Sequence, residues 1–573
     1  MTMMRPTVFE RLREHPFLCL LALCLAANLL VDGTTESGFS AEAPVVFAAC
    51  CAVCLGLYLG FSPLPLPQRA LYAGMGACGA VIFGGFCALA HGVVAALLAA
   101  ALGLFLLLLG VLLCTRRLDT NKIIAVLLCM GFCLRLAYVV YTTVTTRQHD
   151  VWYFANGSDT GHAGYIDYFY HGGSLWFGFD PRSRWQFYHP PLHHFTAAVW
   201  MRLQTLLGFT YERACESVQI LTLFYSCGAT LALVKIFRKL HLRKAGLVLA
   251  VAAAALHPSF ILFSGSINND VLSCFLQFLA VYAALRWYEH ATAGRILAVA
   301  VCVGGSMLAK LTGVLCAPAI AMIFLYKWWK NREETLEYFT QFAAFALVCV
   351  PMGLGWSVLH LLAWGMPLGY VPVLGAGDNA QYVGEYTLWQ RLFELKGNGP
   401  GSMYVCWGGG AGYHEYNIWQ GLIKSSVFGE YTLFSPPVEG MTGWVWFKRV
   451  GGLVGCHVLA LANRLCVLLS LAAGVRILFK KNHLRKDTLL NAAVWVLFAT
   501  VVVMYVRMCF SAPHTCTQNF RYTTPLLLCG TLWLGKWAQD MQERGKTAAV
   551  VLLSVPVGAF CAASAWVYTL LAL

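Results

Sequence analysis

A chain of 573 residues with 59% hydrophobic side chains, only 12% charged ones and a mean hydropathy of +0.66 is too apolar to stay in water. This composition excludes a soluble globular protein and fits a chain that crosses a membrane many times. A formal charge of +14 would suit nucleic acid if it were gathered on one surface, but it is dispersed among short connectors, which excludes that partner.

In chain order, the first apolar segment, Pro16 to Val31, follows Arg5, Arg11 and Arg13 in the manner of a signal peptide. A second span follows within about a dozen residues, so the segment reads as a retained first helix. The GxGxxG of Gly74 to Gly79 lies inside an apolar run, not between a strand and a helix, and reads as close helix packing. Val93 to Cys114 carries no charge over 22 residues, enough to cross the roughly 30 Å hydrocarbon core. Most of the 23 cysteines sit in such runs, where Cys acts as a small hydrophobe; Cys406 and Cys516 are the loop exceptions.

Basic residues cluster at Arg116 to Lys122, Lys235 to Lys244, Lys327 to Arg332, Arg476 to Lys486 and Lys536 to Lys546. The positive-inside rule puts these connectors on the cytoplasmic side. Threading the chain through them gives about four crossings before Leu118 and about eleven from Lys122 onward. The expected organisation is therefore an N-terminal four-span extension, 1–121, and an eleven-span core, 122–573. Between Lys122 and Lys235 only two crossings fit, near Ile123 to Val144 and Ala214 to Val234. The apolar segment Pro191 to Gly208 is then a juxtamembrane helix at the outer interface, started by Pro190 and Pro191, with Trp200 at headgroup depth.

The same threading puts outside the loop 145–190, the turn His257 to Asp270, the point at Lys310, the long loop 361–449 and Ser511 to Arg521. Inside connectors are short, and no GxxxxGK[ST] motif offers a nucleotide cradle. Chemistry is expected on the outer face. Nucleotide-activated substrates are scarce there, so an enzyme on that side needs a donor carried across on a lipid. The first outer loop, RQHDVWYFANGSDTGHAGYIDYFYHGG followed by DPRSRWQFYHPPLHH, holds Asp150, Asp159, Asp167 and Asp180. An aspartate just past a span can serve as general base toward an acceptor hydroxyl. Gly161 to Gly173 reads as a short amphipathic helix, which makes Asp159 either a base or the N-cap of that helix and leaves Asp150 the better base.

These motifs resemble the GT-C glycosyltransferases of the family 39 type, which include protein O-mannosyltransferases and lipid A aminoarabinose transferases. The features shared are the acidic residue of RQHD, the helix GHAGYIDYF, YHPPLHH, then HPSFILFSGSINNDVL with Asp270, LAKLTG with Lys310, IKSSVFGEY with Glu430 and QNFRY with Arg521. The resemblance runs over roughly Lys122 to Leu573. It implies an all-α, GT-C-like helical bundle in the cell membrane that transfers a hexose or pentose, with inversion, from a polyprenyl phosphate to a hydroxyl of a lipid, protein or glycan outside the cytoplasm. Asp150, Asp159 and Asp270 are the implied acids. Relatives carry Asp-Glu in the first loop, whereas His149 and Val151 flank Asp150 here, so the base stays open between Asp150 and Asp159. The four extra spans have no counterpart in such a core and read as an accessory or partner-binding module.

The implied donor contacts are His162, Tyr165, Tyr188, His189, Lys310 and Arg521; Lys and Arg suit a lipid phosphate as point charge and planar chelator. Arg521 and Lys310 could equally snorkel at helix ends, and Asp270, after Asn268 and Asn269, could be a helix cap. His193 and His194 are open to two readings, as water-facing interfacial residues or as ligands of a divalent metal with Asp150 or Glu430. The stretch CWGGGAGYHEYNIWQ, with His414, and the later Glu430 are expected near the acceptor. Two other functions fit the sequence: a transporter or flippase of lipid-linked glycans, for which Arg135 and Glu216 inside spans would matter, and a non-catalytic partner subunit. The threading predicts that Asn482→Cys is shielded from an impermeant thiol reagent added outside intact cells; labelling from outside would overturn the topology.

Overall fold

The computed structural model describes residues 15–31, 93–116, 118–372, 381–395, 415–479 and 488–572. Among them no β-strand forms beyond one bridge between Tyr382 and His514. Nine helices among the described residues are long and apolar enough to cross a bilayer: Thr120–Tyr141, Tyr211–Lys239, Lys244–Gly265, Asp270–Glu289, Leu311–Lys330, Arg332–Trp364, Val445–Phe479, Thr488–Ser511 and Thr547–Leu571. The helices Ala293–Ala309 and Leu526–Glu543 occupy the two remaining positions where the sequence places crossings. The protein is an all-α polytopic membrane protein. Of the expected N-terminal extension, Pro16–Ala27 and Val93–Cys114 are helical; its other two spans, the Gly74 to Gly79 motif, Cys406, His414 and Asn482 lie outside the described residues.

Burial separates the helices into a centre and a rim. The apolar window of Lys244–Gly265 is 83% buried, against 22% for that of Arg332–Trp364, so the former is enclosed by protein while the latter faces lipid. The central helix is broken: Lys244–Ala255 ends, and Pro258, at the first position of Pro258–Gly265, restarts it. Such a break frees carbonyls that hydrocarbon cannot solvate. Arg135, wholly buried on Thr120–Tyr141, donates to the Ala255 carbonyl at 3.0 Å and to Thr230 Oγ1 at 3.0 Å. This intramembrane cation, which a transporter reading would use, is a staple across the break. Glu216 does not pair with it; its carboxylate accepts from the Val144 amide at 3.0 Å.

Two short helices between the first two spans of the core, Gly161–Tyr170 and Leu192–Leu206, pack on each other and on neighbouring helices. The second is 15 residues long, too short to span, as the threading requires. His193 and His194 do not face water: both are fully buried, His193 Nε2 lying 2.8 Å from the Ile267 carbonyl and the His194 ring stacked 4.1 Å from that of Tyr165. Trp200 is part-buried, and its indole N–H donates to Ser217.

Lys244–Ala255 meets Leu526–Glu543 through two glycines whose backbones touch. A methyl at Gly246 would lie 2.4 Å from the Gly535 carbonyl oxygen, and one at Gly535 2.6 Å from that of Gly246. Neither contact can yield without parting the helices, as expected of small-residue packing in membranes. Gly246→Val is predicted to destabilise the folded chain by about 1–3 kcal/mol, read as a lower melting midpoint in detergent; an unchanged midpoint would mean that the two helices do not abut there.

Candidate active site

Four polypeptide segments distant in sequence bring Asp150, Asp270, Lys310 and Arg521 together. Local structure explains each. The Asn269 amide donates to the Ala309 carbonyl at 3.0 Å, and the Ser273 and Ser306 hydroxyls donate to each other's backbone, at 3.1 Å to the Ser306 carbonyl and 3.0 Å to that of Ser273. These bonds fix the start of Asp270–Glu289 against the end of Ala293–Ala309. Lys310, the residue after that end, therefore meets Asp270: Nζ lies 2.5 Å from Oδ1, with both side chains under 10% exposed. Asp270 is thus no helix cap, because its carboxylate goes to Lys310. Arg521 is set by the Asn519 side chain, which accepts from the Arg521 amide at 2.9 Å. Its guanidinium reaches Asp150 Oδ2 at 3.1 Å, the Tyr522 hydroxyl at 2.7 Å and Asp270 Oδ2 at 3.9 Å. The Tyr522 ring lies between the cations, 4.9 Å from Lys310 Nζ and 4.8 Å from the Arg521 guanidinium carbon.

Asp150 sits on a strained loop. Its φ is 57°, that of Arg147 is 53° and that of Trp152 is 61°, all in the left-handed region that non-glycine residues rarely enter. Such conformations cost about 1–3 kcal/mol each and persist where surrounding bonds impose them. Here the bonds come from the first turn of Gly161–Tyr170. The His162 amide donates to the Asp150 carbonyl at 3.0 Å and the Ala163 amide to that of Val151 at 2.9 Å. Loop carbonyls thus satisfy the amides that a capping side chain would otherwise take. That corrects the reading of Asp159 as N-cap: Thr160 holds the cap position without a side-chain bond, and Asp159, 61% exposed, faces Arg184 Nε at 3.6 Å. Gly161 has φ 74°, and a Cβ there would lie 2.5 Å from the Val151 carbonyl oxygen, so glycine is required for the loop to lie this close. Asp167 and Asp180 are spent on the loop itself, the first accepting from the Tyr211 hydroxyl at 2.6 Å and the second paired with Arg182 at 2.6 Å.

Burial by itself would raise the Asp150 carboxyl, but the Arg521 guanidinium, helped by His149 and Lys310, holds it below the usual carboxylate range. The side chain keeps 36% of its surface open, unlike Asp270 at 4%. Tyr188 and His189 lie within electrostatic reach of this cluster. Burial, reinforced by Lys310, lowers His189 to about 3, so it is neutral near pH 7 and offers one donor and one acceptor nitrogen. His162 and Tyr165 form the packing beneath it: the His162 ring stacks on His189 with centroids 5.8 Å apart, His162 Nδ1 lies 2.8 Å from His194 Nε2, and the Tyr165 hydroxyl donates to the His189 carbonyl at 3.2 Å. Burial also pushes His162 and His194 well below their ordinary values.

Glu430 is buried on the other flank, 3.1 Å from His149 Nδ1, and accepts from the Asn519 side-chain amide. Sequence reasoning missed Tyr522, Asn519 and His149; each is adjacent to, or within two residues of, a residue it did select. Among the described residues, no three His, Cys, Asp or Glu side chains are grouped to hold a metal ion. Of the HxxxHH histidines, His194 pairs with His162, His193 with the Ile267 carbonyl, and His189 stacks on His162, instead of converging on Asp150 or Glu430.

No curated protein matches the chain. Residues 188–356, less than a third of it, match the family model described as dolichyl-phosphate-mannose-protein mannosyltransferase. The matched stretch runs from Tyr188 to Trp356 and contains His189, Asp270 and Lys310, while Asp150 and Arg521 lie outside it. The match and the helical architecture together support a multi-pass membrane glycosyltransferase of the GT-C, mannosyltransferase-like type.

Proposed function

We propose that the chain transfers a sugar from a polyprenyl-phosphate donor to an acceptor hydroxyl on the extracytoplasmic face, with inversion. The observation that carries this reading is the network of Asp150, Arg521, Asp270 and Lys310, gathered at the helix ends that the basic connectors assign to the outside. Lys310 and Arg521 hold the donor phosphate; Asp270 positions both cations in the empty site. Asp150 is the base. As the acceptor oxygen bonds to the anomeric carbon, the bond from that carbon to the phosphate oxygen breaks and Asp150 takes the hydroxyl proton. A single displacement inverts the centre. The phosphate gains negative charge as it leaves while Asp150 loses its own, so the site's net charge changes little, and no protein nucleophile is needed. A donor phosphate that shares Arg521 loosens the Arg521 contact to Asp150 and so raises its basicity at the moment the base is required. His189 and Tyr188 border the sugar or phosphate, Glu430 lies toward the acceptor side, and Asp159 has no catalytic part. A transporter reading gains nothing from Arg135 and Glu216, which bind backbone and not each other.

Asp150→Asn keeps shape and removes basicity; it is predicted to lower transfer by roughly 10²- to 10⁴-fold with expression and donor binding intact, while Asp159→Asn changes little. Because the free carboxyl titrates below its ordinary range, kcat/KM should stay flat as the pH falls to about 5, and the acid limb of kcat should lie higher. Equal losses in the two variants would remove Asp150 from the role of base.

The cation pair gives a separate outcome. Lys310→Met leaves the buried Asp270 carboxylate with only its 3.9 Å contact to Arg521, so it should destabilise the chain by about 2–4 kcal/mol as well as weaken the donor, whereas Lys310→Met with Asp270→Asn should recover most of the stability but not donor affinity. If donor affinity returns with stability, Lys310 does not hold the phosphate.

A further inference from the structure

The charges around Asp150 do not balance on the side away from Lys310. A small cavity, part of its wall the apolar Leu262 and Phe263, also presents the polar groups of Arg147, His149, Ser266, Tyr431, Asn519 and Arg521, and neither Lys310, Asp270 nor Asp150 lines it. Arg521 therefore borders two environments. Its terminal nitrogens serve Asp150, Asp270 and Tyr522, while its buried Nε has no hydrogen-bond partner among the described residues. The Ser266 and Tyr431 hydroxyls, both at the cavity, also lack partners, although Ser266 is only 5% exposed. Groups with spare N–H and O–H donors thus meet at one place, and burying such groups unpaired costs about 1–3 kcal/mol each.

Charge points the same way. Arg147 bonds to Tyr138, and Lys448 lies within its electrostatic reach, yet among the described residues neither cation has a carboxylate within 4.0 Å. Glu430, which touches the wall residues His149 and Asn519, is already engaged by both, and Asp150 by Arg521. Arg147 is also held at φ 53°, three residues before Asp150, so the loop is strained at the residue that delivers this charge. Lys310 and Arg521, by contrast, face two carboxylates. The unbalanced positive charge of the region lies at the Arg147 cavity.

We propose that this cavity is a second oxyanion subsite, which takes a phosphate group of donor or acceptor beyond the one held at Lys310. Arg147 and Arg521 would grip the oxyanion through N–H donors, and Ser266 and Tyr431 would donate hydroxyls. The cavity as it stands is about 20 Å³, room for little more than one water, so entry requires the part-buried Arg147 and Tyr431 to swing outward. The oxyanion has two possible sources: the second phosphate of a diphosphate-linked donor, or a phosphate on the acceptor. Only this choice of sources rests on the donor chemistry proposed above.

Binding to the full chain in detergent tests the subsite without turnover, so it stands or falls apart from the transfer reaction. Inorganic phosphate should raise the melting midpoint above that in chloride of equal ionic strength. Arg147→Gln and Ser266→Ala should each weaken its binding by about 10-fold, and Arg147→Lys by less. If Arg147→Gln does not fold, Ser266→Ala, which breaks no existing bond, carries the test. A donor source predicts that a polyprenyl diphosphate binds about 10-fold tighter than the monophosphate in the wild type and that Arg147→Gln abolishes the difference. An acceptor source predicts that the two lipids bind alike and that inorganic phosphate still binds when the monophosphate lipid is saturating. Inorganic phosphate binding that is unchanged in both variants, or that is fully displaced by the monophosphate with no preference for the diphosphate, would overturn the proposal.

Discussion

A lipid phosphate can be met near hydrocarbon only by cations that are already dehydrated, and dehydrated cations do not stand alone. In the function proposed here, that constraint accounts for the arrangement of Lys310 and Arg521. Lys310 is 7% exposed and Arg521 8%, and burying either charge unpaired would destabilise the fold by several kcal/mol. Asp270 answers the first and Asp150 the second, so the four side chains together are close to neutral and the cations are held in place by the protein itself. The two acids differ in exposure. Asp270 is sealed in and can only position; Asp150 keeps a third of its surface open and can meet an acceptor. In the proposed reaction that difference assigns their roles.

The scaffold serves this network through its irregular backbone. Helix breaks at Ala255 to Pro258, Ala309 to Leu311 and Phe520 to Thr524 leave polar groups that lipid cannot satisfy, and the chain satisfies them with Arg135, Asn269 and Asn519. The strained turn of Asp150 and Trp152 is held by the His162 and Ala163 amides in the first turn of Gly161–Tyr170, which has no side-chain cap. Asp150 is thereby attached to a helix that itself rests on the His162, His189 and His194 stack. Aromatic packing below the loop, rather than metal coordination, explains why so many histidines occur there.

How far the sequence reveals this depends on the range of each interaction. Span positions follow from local hydropathy and basic connectors, so the helices near Ile123, Ala214 and Asp270 and the juxtamembrane helix after Pro191 could be read directly. The candidate acids and cations were also legible, because helix ends on one side are few. Partnerships were not. Nothing in the sequence ties Asp150 to Arg521, 371 positions away, or Asp270 to Lys310. The N-cap expected of Asp159 failed because the amides it would have capped are taken by carbonyls of a loop whose path depends on tertiary packing. The two readings of His193 and His194, as water-facing or metal-binding, could not be resolved from sequence, because what buries them comes from other segments: the Tyr165 ring stacks on His194 and the Ile267 carbonyl meets His193. Arg147 passed unnoticed beside Asp150 for the same reason, since its lack of an acidic partner is a fact of three dimensions.

The account rests on where the lipid phosphate binds. A structure of the full chain with a polyprenyl phosphate bound tests it most directly. The phosphate is expected within hydrogen-bond distance of Lys310 Nζ and the Arg521 guanidinium, with the Asp150 carboxylate open toward the position of the departing sugar. A phosphate seated instead on the basic connector from Lys235 to Lys244, or anywhere out of reach of both Lys310 and Arg521, would contradict it.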